Sequence, residues 1–558
     1  MKRRIYLALG TMLTAQAAMS NAAGAQALIP GQSSQLPPAP TSQKGIPDIR
    51  IERQGRTSDQ GPTGPSVLIT SLHITGETRF SEPELIAAAG FVPGQVLNLA
   101  DLRLMAARIT DYYNSRGYVV AQAYLPAQEI KDGSVTIAVV EGRYGAITLH
   151  NQSRLRSDAA QDLLGDLDRC ILIEADPLDR ALLLLSDVPG VQVQSTLSPG
   201  SEVGTSDLLV ELAPGPRVTG ELEVDNGGDP YTGVLQGGGT VNFNEPFGIG
   251  DVASLRLLTS GSGMQYARGS YQAQWGEVTL GAAYAYFRYE LGKQFSILHA
   301  NGTEHVVSLY ASYPLIRSYD NNLHATIDAD HRIFQDRIDA VSSVTNRQSN
   351  TVTVGLLGDH HDEFGEDGWD AYSVYLTNGN LDIGSPLARA ADEATVRTQG
   401  GYVKLKWSVD RLQTISGPFA IYGSIRGQLA SKNLDISEKM ELGGAYAVRA
   451  YPEGEAYGDE GYIATLEARL WLPQMSHDLP GRMQLVAFFD TGHVRFNKTP
   501  WFAGTNNATR SGAGVGLNWT DSNNFAVNVF YAQRVGTPAA TSFRDSSGQF
   551  WFELVKFY

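Results

Sequence analysis

The chain has 558 residues, with 43 Lys and Arg against 59 Asp and Glu and a net charge of -16. An acidic balance of that size argues against a nucleic-acid binder, which needs basic patches to neutralise phosphates. The 59 glycines and 25 tyrosines suit short strands with aromatic girdles and tight turns better than a helical protein.

The chain opens MKRRIYLALGTMLTAQAAMSNAAGAQA. Lys2, Arg3 and Arg4 precede an apolar run from Ile5 to about Ala18, and small residues near Ala25 and Ala27 suit cleavage, so residues 1–27 read as a secretory signal peptide. A membrane anchor is the competing reading, but the run is shorter than the ~20 residues that span a bilayer. The single cysteine, Cys170, leaves an exported chain without an internal disulfide and is expected to be a small buried hydrophobe rather than a nucleophile. Residues 28–65, rich in Pro, Gly, Ser and Gln, cannot bury enough surface to offset chain entropy and are expected to form a flexible linker.

From Ser66 one pattern occurs twice. SVLITSLHIT (66–75) reads as a strand, and SEPELIAAA (81–89) as a helix with Ser81 and Glu84 at capping-box spacing. In LADLRLMAARITDYYNSRG, Leu102, Met105, Ile109 and Tyr113 share one helical face and Gly117 is the stop. YVVAQAYLP (118–126) and SVTIAVVEG (134–142) read as strands. The second round has a strand at 144–150, helices at 157–167 and 177–188, and strands at 191–197 and 206–214, giving two tandem β-α-α-β-β units.

Beyond Pro216 sixteen strand-like segments begin near 217, 233, 251, 265, 277, 303, 321, 349, 370, 400, 418, 461, 483, 511, 524 and 550. YSVYLTNG, YVKLKWSV, TLEARLWL and NVFYAQ alternate with period two, as when one face meets lipid and the other a polar lumen. Connections after even-numbered strands are short, while those at 336–348, 379–399, 431–460, 492–510 and 535–549, all after odd-numbered strands, are long. A closed antiparallel barrel with short periplasmic turns and longer outer loops produces that parity, whereas a stack of soluble β-sandwiches has no reason to keep it. The chain ends QFWFELVKFY, so Phe550, Phe552 and Tyr558 suit a closing strand with aromatics at the interface.

The longest outer connection contains VRAYPEGEAYGDEGY. An exposed loop arginine is ordinarily just solvated, but a lumen of about sixteen strands is wide enough to take the loop back inside. There Arg449 would need a carboxylate, because an unpaired buried charge is expensive. Asp490, in AFFDTG (487–492), is the best candidate, making Arg449 a latch.

LGGAYAVRAYPEGEAYGDEGYIATLEARL closely resembles the signature of two-partner-secretion outer-membrane transporters, the TpsB type that includes hemolysin secretion/activation proteins. Phe488, Asp490 and Gly492 match that family's F-x-D-x-G strand motif. RGYVVAQAYLPAQEIKDGSVTIAVVEG (116–142) matches its first periplasmic module, through Tyr118, Tyr124, Leu125, Pro126 and Gln128, and DNGGDPYTG (225–233) matches its first barrel hairpin. The resemblance implies two periplasmic POTRA modules, 66–142 and 143–215, and a 16-stranded outer-membrane β-barrel over 216–558. It implies a latch of Arg449, Tyr451, Phe488, Asp490 and Gly492, and a substrate-binding signature at Tyr118, Tyr124, Leu125, Pro126 and Gln128. One departure stands out: the family reads Val-Arg-Gly-aromatic where this chain has Ala450, which would be strained by roughly 1 kcal/mol if the position needs a positive φ.

The function implied is a pore that captures one large unfolded exoprotein in the periplasm and exports it without ATP. Its partners would be that TpsA-like exoprotein, outer-membrane lipid and the barrel-assembly machinery for insertion, with no nucleic acid. In the family the segment before the modules can carry a plug helix; residues 28–65 hold too many prolines to expect one. A barrel-assembly insertase and a diffusion porin are the alternatives; the two-module count and YLPAQ favour secretion. No cofactor, catalytic residue or metal is expected, and DHHDEFGED (359–367), the one metal-like cluster, suits an ordinary wet periplasmic turn.

Overall fold

A computed structural model describes residues 48–51, 65–165, 167–474, 479–522, 524–536, 538–543 and 546–558. The expected signal peptide and most of the expected linker lie outside the described residues. One compact unit spans Gly45–Gly215 and another contains Pro216–Tyr558.

The first unit begins with β1 (Asp48–Ile51) and continues through two modules. The first module comprises β2 (Val67–Ile69), β3 (Ser71–Thr75), α1 (Glu82–Ala89), β4 (Gln95–Leu97), α2 (Leu99–Ser115), β5 (Gln122–Tyr124) and β6 (Ser134–Val140). The second comprises β7 (Arg143–Asn151), α3 (Ser157–Leu163), α4 (Ala175–Asp187), β8 (Val191–Pro199) and β9 (Thr205–Pro214). Both sheets have the same connectivity: a parallel first strand and an antiparallel edge strand flank the last strand, in the orders β3-β6-β5 and β7-β9-β8.

Helix α2 buries Leu102, Met105, Ile109 and Tyr113 against β3 and β6, where Leu72, Ile74, Val135 and Ile137 face the same core. The second module repeats this with Leu178, Leu182 and Leu185 of α4 against Val193, Leu208 and Val210. Full burial of each such side chain contributes about 1.5–3 kcal/mol. Within the first core, the Glu141 carboxylate accepts hydrogen bonds from the amides of Thr78 at 2.7 Å and Arg79 at 2.8 Å, from Tyr113 Oη at 2.9 Å, and from the Thr78 hydroxyl. Burial pushes this carboxyl up, but those hydrogen bonds outweigh it and hold Glu141 below the usual glutamate value.

Four expectations change here. Ser81 is the N-cap of α1 but its side chain makes no capping bond; Glu84 is drawn instead to the Tyr112 hydroxyl on α2. The capping box forms on α2, where Asn98 Oδ1 accepts from the Ala100 and Asp101 amides at 2.8 and 3.0 Å and Asp101 Oδ2 accepts from the Asn98 amide at 2.9 Å. The strand expected over 66–75 is split into β2 and β3, β2 pairing with β4. Cys170 is exposed rather than buried, in a turn with φ 67°. Part of the expected linker is ordered: β1 joins the edge of the second sheet in parallel, with Asp48 opposite Gln194 and Ile51 opposite Leu197.

The second unit is a closed antiparallel barrel of sixteen strands among the described residues. They are β10 (Val218–Asp225), β11 (Gln236–Asn244), β12 (Val252–Thr259), β13 (Met264–Trp275), β14 (Val278–Glu290), β15 (Ala300–Arg317), β16 (Asn321–Ile338), β17 (Ser343–Asp362) and β18 (Asp367–Ile383). After the helix α5 (Pro386–Ala394) come β19 (Gly400–Ser416) and β20 (Phe419–Ala430). A hairpin containing β21 (Met440–Glu441) and β22 (Tyr457–Gly458) precedes β23 (Glu460–Trp471), β24 (Arg482–Arg495), β25 (Asn507–Asp521), β26 (Phe525–Arg534) and β27 (Gly548–Phe557). β27 closes on β10 with Val555 opposite Glu223 and Leu554 opposite Val224. Closure pairs every strand edge, as a bilayer with no water for free backbone groups demands.

The period of two is visible strand by strand. Leu222 and Val224 are exposed on β10 while Glu221 and Glu223 are buried; on β23 Leu466 and Leu470 are exposed while Glu467 and Arg469 are buried. Apolar side chains therefore face lipid and charged ones the lumen. The segment 336–348, expected as a long outer loop, is mostly wall: β16 runs to Ile338 and β17 starts at Ser343, leaving only a short turn between them.

Candidate functional site

The connection between β20 and β23 folds inside the barrel. β21 and β22 pair with Met440 opposite Gly458 and Glu441 opposite Tyr457, and Leu442, Val448, Ala450 and Tyr451 pack with Ile463, Val486 and Phe488 of the wall.

Arg449 is 6 % exposed and Asp490 fully buried. The guanidinium donates from Nε to Asp490 Oδ2 and from Nη2 to Asp490 Oδ1, both at 2.8 Å, and the Arg449 amide donates to Oδ2 at 3.2 Å. Its third nitrogen, Nη1, reaches Glu467 Oε1 at 2.8 Å, and the other oxygen of Glu467 pairs with Arg469 at 2.7 Å. Thr465 Oγ1 completes Asp490 at 2.9 Å. The guanidinium carbon stands 3.4 Å from the centre of the Phe488 ring, which meets Phe530 edge to face at 5.9 Å. Trp551 Nε1 donates to the Arg449 carbonyl oxygen at 2.7 Å. One arginine thus joins β23, β24 and β27 to the hairpin.

Tyr451 is fully buried. Its hydroxyl donates to the Pro538 carbonyl at 2.9 Å, and Arg510, which pairs with Glu455 at 2.6 Å, lies 5.3 Å from its ring centre. A Cβ on Gly492 would stand 2.6 Å from Leu442 Cδ1, so this glycine leaves room for the hairpin. Ala450 is not among the described non-glycine residues with positive φ, so the strain anticipated for it does not arise. Space for its methyl comes from the wall, where a Cβ on Gly512 would overlap it.

The structure thus brings Arg449, Tyr451, Phe488, Asp490 and Gly492 together. Sequence reasoning missed Glu467, Arg469 and Trp551. Glu467 and Arg469 were readable as two charges on one face of a strand; Trp551 was hidden among the aromatics of the closing strand. On β27, Phe550 is exposed on the outer face, as is Tyr558 just beyond its end. The Phe552 ring lies 6.5 Å from that of Phe550.

The first-module residues divide. Tyr118 is buried, its hydroxyl held by Arg79 Nε and donating to Glu174 of the second module at 3.2 Å. Gln128 brackets the backbone of Thr136 on β6, at 2.6 and 2.8 Å. Leu125 and Pro126 are half-buried, and Tyr124 is exposed on the edge strand β5. In the turn around 359–367, His361 pairs with Asp367 at 2.9 Å and Arg411 takes Asp362 at 2.5 Å and Asp370 at 2.6 Å.

Comparison with known proteins agrees with this architecture. The POTRA domain of ShlB type matches residues 67–142, and the haemolysin secretion/activation protein family ShlB/FhaC/HecB matches residues 204–519. The heme/hemopexin transporter protein HuxB of Haemophilus influenzae is 29 % identical over 83 % of this chain and 82 % of its own. The outer membrane transporter CdiB of Escherichia coli is 25 % identical over 82 % of this chain and 78 % of its own. The solved CdiB structure from Escherichia coli superposes with a TM-score of 0.68 at 20 % identity, covering 90 % of this chain and 93 % of that one. With a barrel whose lumen holds a hairpin joined to the wall through Arg449 and with POTRA modules ahead of it, the chain belongs to the haemolysin secretion/activation protein family, as an outer-membrane transporter with its POTRA modules in the periplasm.

Proposed function

We propose that the periplasmic modules take up one large unfolded exoprotein and that the barrel passes it outward without ATP, the hairpin serving as a plug latched by Arg449. The observation that carries this reading is the hairpin's position: residues 431–459 fold into the lumen and pack on its wall, where a threading chain would meet them. The guanidinium is bound to Asp490 and Glu467 by polar contacts alone. Water or a passing polar chain can replace these polar contacts, while the apolar contacts of Leu442, Val448 and Tyr451 with the wall have to separate as the hairpin leaves.

Capture falls to sheet edges. Among the described residues β5 pairs only with β6, so its outer edge is open to an added strand, whereas the corresponding edge of β8 is occupied by β1. Backbone hydrogen bonds there would supply affinity, and Tyr124, exposed beside it, a side-chain contact. Directionality needs no nucleotide: folding of the cargo outside prevents its return. The function is transport, with no catalytic chemistry assigned.

Replacing Arg449 by alanine leaves the buried Asp490 carboxylate without its cation, at a cost of about 3–5 kcal/mol, and Asp490→Ala leaves the guanidinium with Glu467 as its one carboxylate. Export of an exoprotein encoded in a neighbouring reading frame is expected to fall about tenfold or more, with the barrel still inserted and heat-modifiable. Unchanged export in both variants would reject the latch. Removing residues 66–142 is expected to abolish capture; retained binding of the cargo by the shortened chain would reject the modules' role.

A further inference from the structure

The hairpin is held at a second place, far from its tip. Between β20 and β21 the chain makes a short 3-10 turn, Ile436–Glu438. Glu438 is 3 % exposed. Its Oε1 accepts from Arg332 Nη1 at 2.8 Å, its Oε2 pairs with Lys404 Nζ, and its carbonyl oxygen accepts from Gln428 Nε2 at 3.0 Å. Asp435 pairs through Oδ2 with Arg347, while its Oδ1 accepts from the Ser437 amide at 3.1 Å and hydroxyl at 2.8 Å. The two arms are tied to each other by Lys439 and Asp459 at 2.6 Å, and Asp459 also accepts from the amides of Leu434 at 3.0 Å and Lys498 at 2.7 Å.

These cations stand on β16, β17 and β19, whereas the tip's partners stand on β23, β24 and β27. The hairpin's contacts therefore run along the wall, with β20 between the two sets donating from Gln428 to the Glu438 carbonyl and from Arg426 to the Tyr446 carbonyl. The two anchorages also differ in tether. Asp435 and Glu438 follow closely on the end of β20 at Ala430, while Arg449 lies near the middle of the connection. Releasing the tip consequently gives little slack at the root.

We propose that Asp435 and Glu438, with Arg332, Arg347 and Lys404, form a base clamp whose members are positioning residues for transport, and that it stays closed when the tip lets go of Asp490. The hairpin then swings about its root instead of leaving the lumen. Arg332 and Arg347 are oriented for this through Nη2 by wall carboxylates of β16, Asp330 at 2.8 Å and Asp336 at 2.6 Å, so each presents its Nη1 to the hairpin. The inference rests on the hairpin being a movable plug.

The test needs no cargo. The full-length protein is purified, checked for heat-modifiable folding and reconstituted in planar bilayers in potassium chloride, as wild type, Glu438→Lys, Lys404→Glu and the two combined. Each single change is expected to raise mean conductance several-fold, and the combined exchange, which restores an opposite pair, to return it toward wild type. Glu438→Gln, which keeps the shape, is expected to shift selectivity toward chloride by removing the carboxylate that Lys404 and Arg332 share. Single variants that conduct as wild type, or a combined variant no closer to wild type than the singles, would overturn the clamp. Should the charge-changing singles not fold, Glu438→Gln with unchanged conductance and selectivity would overturn it. Failure of the plug itself is distinguishable, because Arg449→Ala would then also conduct as wild type.

Discussion

In the second periplasmic module the side chains without any exposure, Ile173, Leu182, Leu185 and Val210 among them, are apolar, whereas the barrel lumen buries the charged Asp490, Glu438 and Arg449 beside apolar Leu442, Val448 and Tyr451. The module is held by apolar area, which has no partner to exchange and yields only by unfolding. The lumen hairpin has one apolar patch and is otherwise held by buried ion pairs, which gain little net over hydration but cost much when a single member is lost. One chain thus contains scaffolding held by apolar area and a hairpin held largely by charge, which the proposed function requires to undock.

The comparison breaks first if the modules tolerate cavities. Leu182→Ala removes a fully buried side chain from α4 and is expected to cost about 2–5 kcal/mol. In the full-length protein, amide hydrogen exchange should rise across β7, β8 and β9 while the barrel strands keep their protection. Next in size is a steric test of the hairpin seat. Gly512→Ala overlaps Ala450 and should cost about 1–3 kcal/mol of docking, read as faster proteolysis within residues 431–459. Adding Ala450→Gly should recover most of it, and no recovery would mean that the tip is seated elsewhere.

A more local effect, of no greater size, concerns Glu141, the buried carboxylate of the first module. Glu141 ionises below the usual glutamate value when folded, so its contribution is present above the unfolded value of about 4.3 and is lost as pH falls through the folded one. Protection of the Thr78 and Arg79 amides should therefore weaken on acidification below about pH 4.3. In Glu141→Gln it should be weaker by about 1–3 kcal/mol at neutral pH, with that acid dependence removed.

Strand after strand of the barrel was legible because alternation and loop parity are local signals: β16, β19 and β23 begin at Asn321, Gly400 and Glu460, at or beside the positions read from pattern. The position of β17 was read late, since SVTNRQ has no apolar alternation and pairs with β16 only through long-range register. The proximity of Arg449 and Asp490 was readable from a charge in a loop long enough to fold inward. The clamp at Glu438 was not, because its partners Arg332 and Lys404 are remote in sequence and look like ordinary wall residues. The capping error has a local cause too: Ser81 and Asn98 both precede helices with an acid at the right spacing, and only the tertiary contact of Glu84 with Tyr112 decides between them.

The central claim is that a guanidinium–carboxylate pair keeps the hairpin in the lumen. Single-channel conductance of Arg449→Ala, Asp490→Ala and the double variant tests it most directly. Two residues acting through one contact should each raise conductance, and the double variant should conduct little more than either alone. Conductance equal to wild type in the single variants, or strictly additive increases in the double, would contradict the account.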